Sequence, residues 1–175
     1  MDELEKIITE RRSIRSFKDT PVPRELIDKI INAGLFAASG RGLQAPKIIA
    51  VTNKELRDAV SDENRRIGGW NEGFDPFYGA PVILIVVADS TVPTAVYDGS
   101  LTMGNMMLMA HDLGLGSIWI HRAKEEFDSE FGKNLLRKAG IEGDFEGIAH
   151  LAVGYTKGDY PAVIPRNDGR VFYLD

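Results

Sequence analysis

Seven consecutive apolar residues, Val82-Ile83-Leu84-Ile85-Val86-Val87-Ala88, constrain this chain more than any other stretch. Side chains along a strand point alternately to opposite faces, so a strand without alternation is apolar on both. Such a strand must be covered above and below, which calls for layers on either side of a sheet. A second constraint lies downstream. From Asp98 to about Leu113 the spacing predicts a helix bearing Leu101, Met103, Met106, Met107, Leu108, Met109 and Ala110. It is apolar nearly all round, so it reads as buried on all sides, or as lying in an adaptable Met-rich interface. Asn105 in its middle needs a partner. With 175 residues the chain fits one domain, residues 1–175, with enough interior for such a core.

The remaining elements follow from periodicity and breakers. Leu4, Ile7 and Ile8 mark a short helix from Asp2 to about Glu10. Pro23 suits the first turn of a helix running to about Ala37, largely buried through Leu26, Ile27, Ile30, Ile31, Leu35 and Phe36. Ile48 to Thr52 reads as a buried strand, and Asn53 caps a helix from Lys54 to about Arg66. The stretch Gly68 to Gly79 is irregular and carries Trp70, Phe74, Phe77 and Tyr78, either a packed flap or a lid over a flat ligand. Phe77 and Tyr78, just before Pro81, read as packing. Ser117 to Ile120 is a short strand with His121-Arg122 at its end, Glu125 to about Ala139 an amphipathic helix, and Ile148 to Val153 a last strand. The tail, Tyr155 to Asp175, ends on Val171, Phe172 and Leu174 and is expected to pack on something, a partner subunit being one candidate. Helices and strands alternate, so element order alone suggests an α/β fold with a parallel sheet.

Several function classes drop out. The net charge of −5 argues against general nucleic-acid binding, which needs a broad basic face. Without cysteine there is no disulfide, thiolate nucleophile or Cys-ligated metal. The acidic start, Met1-Asp2-Glu3-Leu4-Glu5, does not resemble a signal peptide, and no apolar run reaches membrane length, so a cytoplasmic location is expected. His111, His121 and His150 lack metal-ligand spacing and read as structural. Neither a nucleophile elbow nor a P-loop occurs. Gly40-Arg41-Gly42-Leu43-Gln44-Ala45 mimics a dinucleotide fingerprint, but it follows a helix and runs into a strand, the reverse of what that motif requires. Its glycines read instead as allowing close backbone approach to something planar or to another chain.

Against this acidic background stands Arg11-Arg12-Ser13-Ile14-Arg15-Ser16-Phe17, whose apolar Ile14 and Phe17 dock it onto the protein. Guanidinium forks bind phosphate oxygens two at a time, and hydroxyls add donors. Phosphate-binding arginines without a side-chain catalyst are what a cofactor enzyme needs.

These residues, followed by Pro21-Val22-Pro23, resemble the opening signature of the FMN-dependent nitroreductase family. Ala37-Ala38-Ser39-Gly40-Arg41-Gly42-Leu43-Gln44, Tyr78-Gly79-Ala80-Pro81, Asn105 with Ala110 and Leu113-Gly114-Leu115-Gly116, and Val153-Gly154-Tyr155 with a later Arg resemble its successive blocks in order. Gly42 departs from a frequent Asn, and Ala45-Pro46 from a frequent Pro-Trp. The resemblance implies an α+β, three-layer α/β/α fold with a central, mainly antiparallel sheet, overriding the parallel reading. It implies an intertwined homodimer with FMN at the interface, the Asp98–Leu113 helix between subunits and the tail crossing to the partner. It implies ping-pong transfer from NAD(P)H through the flavin to nitroaromatic, quinone or similar small acceptors. By the same resemblance Arg12, Ser13 and Arg15, with Arg11 nearby, hold the phosphate and ribityl chain. Ser39 and Gln44 of the other subunit line the ring, backbone groups of Ile120, His121 and Arg122 face its N5 and O4 edge, and Arg166, less so Arg170, closes the phosphate site. No metal and no catalytic side chain is expected. Two alternatives stay open: a flavin-binding or flavin-trafficking module without turnover, and a flavin reductase or reductive dehalogenase of the same fold.

Overall fold

The structure, a computed structural model, describes residues 2–174. Its helices are α1 (Glu3–Glu10), α2 (Arg24–Leu35), α3 (Lys54–Gly68), α4 (Ala95–Asp112), α5 (Ala123–Asp128) and α6 (Glu130–Lys138); its strands are β1 (Pro46–Val51), β2 (Val82–Asp89), β3 (Gly116–Ile120) and β4 (Phe145–Gly154). The four strands form one sheet in the order β1-β2-β4-β3, every neighbouring pair antiparallel. The antiparallel sheet overturns the parallel reading drawn from element order.

The connection between β1 and β2 explains the miss. Val51 at the end of β1 pairs with Ile83 at the start of β2, so the chain returns to the end it left. α3 carries it away by about 22 Å at 1.5 Å per residue. Residues 69–81 then bring it back, being long enough to span about 40 Å when extended. A helix alone between the strands would have left them parallel; the long loop after it reverses the second one.

The apolar run behaves as its composition requires. Val82, Leu84, Val86 and Ala88 of β2 pack with Ile27 and Ile30 of α2 and Met103, Met106 and Ala110 of α4. Ile83, Ile85 and Val87 face the other way, onto Val60 of α3, Phe127 of α5 and Leu135 and Leu136 of α6. The sheet is thus the middle of three layers. Phe17 and Ile14 dock into the second cluster, and Phe77 joins them, as packing residues.

Four expectations need correction. β1 is an edge strand, and only Val51 of it is fully buried. α2 is not largely buried: it buries Ile27, Ile30 and Gly34, while Leu35 and the following Phe36 are exposed. α4 starts earlier than expected, at Ala95, and is not buried on all sides within one chain, since Leu101 faces outward along with Val96 and Tyr97 of the added turn; Asn105, however, donates Nδ2–H to the Ala33 carbonyl at 3.1 Å. The helix expected over 125–139 is two. Ser129 ends α5 and caps α6 by accepting from the Gly132 N–H at 3.4 Å. Gly132 is needed there because a Cβ would stand 2.3 Å from the Glu126 carbonyl oxygen. α1 buries none of its residues, leaving Leu4 and Ile8 exposed. No helix among the described residues is long and apolar enough to cross a membrane.

If both faces of β2 are equally covered, Leu84→Ala and Ile85→Ala, on opposite faces, should each cost roughly 2–5 kcal/mol. Chemical denaturation would check this; a small loss at one of the two would mean that one face is loosely covered.

Candidate functional site

The arginine stretch leaves α1 and runs along the edge of the sheet. Ser13 bridges Ser117 of β3, with the Ile14 N–H donating to the Ser117 carbonyl at 3.1 Å. Further on, Phe17 bridges Thr156, and the Lys18 N–H donates to the Tyr155 carbonyl at 2.9 Å. The stretch is therefore clamped between β3 and the start of the tail.

Arg12 is buried. Its Nη1 donates to the Thr9 and Arg11 carbonyls and its Nε to the Ala162 carbonyl at 3.3 Å. Its backbone N–H donates to the Tyr160 hydroxyl at 2.9 Å, and that hydroxyl meets His111 Nδ1 at 3.0 Å, the two rings stacking with centroids 5.6 Å apart. Two donors remain: Arg11 Nη1 and Arg12 Nη2 are buried with no partner among the described residues. A buried N–H without an acceptor costs about 1–3 kcal/mol, more when charged. Burial lowers the Arg11 pKa; the repulsion of Arg12 and Arg166 adds to this, and Tyr160 opposes it. Arg11 and Arg12 thus sit together, and Arg166, itself exposed, is near enough for its charge to act on Arg11. Ser13 lies beside Arg12 in sequence, and Arg15 and Arg170 are exposed.

The other expected residues lie elsewhere. Ile120, at the end of β3, is buried opposite His150 of β4. The His121 carbonyl accepts from Asn64 Nδ2 at 2.9 Å, and Arg122 stands at φ 76°, its carbonyl accepting from the Glu126 N–H at 3.0 Å. Ser39 and Gln44 flank the 3₁₀ turn Gly40–Gly42, the Gln44 N–H donating to Ser39 Oγ at 3.1 Å. That turn is tied to the N-terminal part of α4, where Asp98 accepts from the Gly40 N–H at 3.0 Å and from Thr94 Oγ1 at 2.9 Å. His111, beside Arg12, is 13 residues further along α4, about 20 Å at 1.5 Å per residue. Within one chain, then, the Ser39–Gln44 turn and the arginine cluster sit at opposite ends of α4.

Sequence reading missed Tyr160 and the place of His111 beside the arginines. It also missed the inward stripe of α3, where Arg57, Ser61 and Asn64 are buried at helical spacing alongside Val60. That stripe is legible: polar residues at i, i+4 and i+7 of an amphipathic helix need partners. Asp75 supplies two of them, accepting from Arg57 Nη2 and from Ser61 Oγ at 2.7 Å, and also from the backbone of Phe77 at 2.9 Å and Gly79 at 2.7 Å. Burial alone would raise the Asp75 carboxyl, but its bonds to Arg57, Ser61 and Phe77 outweigh that and lower it. The aromatic loop is held in this way, with Trp70, Phe74 and Tyr78 in successive ring contact.

Comparisons with known proteins place this geometry. Residues 8–155 match the nitroreductase family profile. A protein of Methanothermobacter thermautotrophicus, provisionally named NADH dehydrogenase/NAD(P)H nitroreductase, is 37% identical over 128 residues, covering 68% of this chain and 60% of that protein. An FMN reductase [NAD(P)H] of Bacillus subtilis is 29% identical over 140 residues, covering 67% of this chain and 53% of its own length. The chain therefore spans rather more than half the length of these relatives. Among solved structures, nitroreductases with bound FMN from Desulfitobacterium hafniense (26% identity) and Bacteroides fragilis (24%) superpose over the whole of both chains with a TM-score of 0.89.

His111 gives the cluster a titratable reporter. Burial first, and then the Arg11 charge, hold its pKa below the ordinary histidine value. A histidine depressed in this way contributes stability that is present above its unfolded value of about 6.5 and is lost as pH falls through and below it. NMR titration should find His111 below the usual range, and inorganic phosphate should move it upward by offsetting the arginines. No response to phosphate would mean that the guanidiniums do not form an anion site.

Proposed function

The chain belongs to the nitroreductase family, and from that premise we propose that it is an FMN-dependent oxidoreductase drawing reducing equivalents from NAD(P)H. The observation that carries this reading is the pair of buried, unpartnered guanidinium donors on Arg11 and Arg12. An anion with several acceptor oxygens fits them, and a phosphate monoester supplies both the charge and the oxygens. Bound FMN would supply hydride acceptance and donation, alternately with NAD(P)H and a nitroaromatic, quinone or similar acceptor in ping-pong order.

The chain's own residues hold and orient it. Arg11 and Arg12 bind the phosphate, Ser13 adds a hydroxyl, and Arg166 closes the site from the tail. Arg15 contributes from the exposed side. β3 runs from Ser117, paired with Ser13, to the backbone of Ile120, His121 and Arg122, so one strand links the phosphate end to the ring end. Four residues of strand span about 13 Å, the scale of a ribityl phosphate with its ring. Backbone N–H groups at that end polarise the ring edge.

Ser39 and Gln44 come from a second copy, because their own chain holds them at the far end of α4 from the arginines. We propose a homodimer in which the exposed apolar residues of α1, α4 and the tail end meet the partner, each chain forming a single domain. Residues 155–162 are held by Ser16, Phe17, Lys18 and Arg12 of their own chain, so the part of the expected 155–175 segment that packs across is its apolar end, Val171 to Leu174. A second reading, with free flavin as the acceptor, is favoured by the names of the Bacillus relative and of a Vibrio harveyi relative, NADPH-flavin oxidoreductase, 31% identical over 127 residues and matched over 51% of its length.

Purified protein reconstituted with FMN should show flavin absorbance and release FMN on acid treatment. Arg11→Ala should weaken FMN binding about ten- to a hundredfold while hardly affecting riboflavin, and Lys18→Ala, an exposed charge nearby, should change neither. Equal losses for FMN and riboflavin would remove the phosphate clamp from the argument.

The shared site has its own test. Chains bearing Arg11→Ala and chains bearing Gln44→Ala, each impaired alone, should regain activity when unfolded and refolded together. A mixed dimer then carries both lesions at one site and leaves the other intact. If both residues act within one chain, mixing restores nothing.

A further inference from the structure

Arg122 is the only charged residue among the described non-glycine residues in the left-handed region other than Arg41. Its guanidinium carbon lies 4.4 Å from the centre of the Trp70 ring. No described residue accepts a hydrogen bond from that guanidinium or forms an ion pair with it, although the chain carries 26 acidic residues. Two of them are within one helical turn: Glu125 is exposed, and Glu126 turns inward with Oε1 3.2 Å from His150 Nε2. The guanidinium passes both over for an aromatic face.

Both halves of this pair are held in place. Asn64, fully buried, fixes the His121 carbonyl just before Arg122, and the Arg122 carbonyl accepts from the Glu126 N–H. The Trp70 N–H donates to the Arg65 carbonyl at 3.2 Å, its ring contacts Phe74, and it lies so close over Gly68 that a Cβ there would come within 2.6 Å of it. A left-handed non-glycine residue is a strained conformation that persists where its surroundings enforce it, and such residues cluster at ligand sites. A guanidinium held over an indole face by cation–π attraction makes no hydrogen bond there, so its N–H donors stay available to a ligand.

We infer that the Arg122 side chain, backed by Trp70, is the anion-recognition group of the acceptor pocket, selecting planar aromatic acceptors that carry a carboxylate. This rests on the placement of residues 120–122 beside the flavin ring proposed above. The stacked guanidinium offers two parallel donors to a carboxylate, while the ring system of the acceptor lies on the flavin. Phe74 and Tyr78 continue the aromatic run from Trp70, Phe74 lying 5.1 Å from Trp70 and 6.4 Å from Tyr78 between ring centroids.

The test compares 4-nitrobenzoate with its neutral near-isostere 4-nitrobenzamide, titrated into FMN-reconstituted protein. Flavin absorbance and tryptophan fluorescence are both followed, since the fluorescence reads binding whether or not flavin is held. The wild type should prefer the carboxylate. Arg122→Asn, whose side chain tolerates the left-handed turn, should abolish that preference, a loss of about ten- to a hundredfold in relative affinity. The KM ratio of the two acceptors should shift with it. Trp70→Leu, which leaves the turn untouched, should reduce the preference as well and serves if Arg122→Asn does not fold. Absence of a flavin band would count against the proposed function, while the fluorescence titration would still decide this inference. Equal affinities in the wild type, or equal changes for both ligands in the variants, overturn it. So does a shift confined to the KM ratio of NADPH to NADH, which would assign Arg122 to the donor's extra phosphate.

Discussion

The burial of β2 on both faces is the constraint on which the rest depends. Seven apolar side chains cannot be hidden by one layer, so helices must lie above and below the sheet. α2 and α4 cover one face, and α3, α5 and α6 the other. With β2 and β4 central, the edges fall to β1 and β3. The residues proposed to hold the phosphate and the ring hang from those edges or from the ends of α4. The arginine stretch lies on β3, and the Ser39–Gln44 turn leads into β1. A stiff, doubly covered centre with chemistry at its margins follows from one apolar run.

Much of this was legible because periodicity reports burial. The runs and spacings located every strand and nearly every helix, and Asn53 marked the start of α3 by its side-chain cap. What periodicity does not report is direction. The sequence of β1, α3 and β2 is compatible with either strand orientation, and residues 69–81 decide it by carrying the chain back. Here the family's blocks succeeded where element order failed. Nor does periodicity report a local stop: the 125–139 pattern stays amphipathic across Ser129, and only its side-chain cap and the close approach at Gly132 divide it.

The site was legible in part for the same reason. Arg11 and Arg12 stood out as cations in an acidic chain, and the structure buries Arg12 and half-buries Arg11. Tyr160 and His111 did not stand out, because each acquires its role from a partner remote in sequence. The polar stripe of α3 is an intermediate case. Arg57, Ser61 and Asn64 share a face that should be apolar, which reveals that partners exist without naming them. Asp75 and the His121 carbonyl are those partners, so α3 ties the aromatic loop to the end of β3.

The arginine cluster also explains the tail's path. Like charges repel more strongly near a protein surface than in bulk water. The charges of Arg12 and Arg166 both act against that of Arg11, and no described acidic residue neutralises Arg11 Nη1 or Arg12 Nη2. The tail offers neutral acceptors instead, the Tyr160 hydroxyl and the Ala162 carbonyl. Such acceptors orient the arginine without cancelling its charge. A carboxylate in the same place would have satisfied the cluster and closed it to an incoming anion. The choice of hydroxyl and carbonyl over carboxylate keeps the positive field intact while still fixing Arg12. The same logic recurs at the other end of β3, where an indole face rather than an acid holds Arg122. At both ends of that strand the chain holds a cation in position with no described acidic residue paired to it, the arrangement that the anionic ligands proposed above would complete.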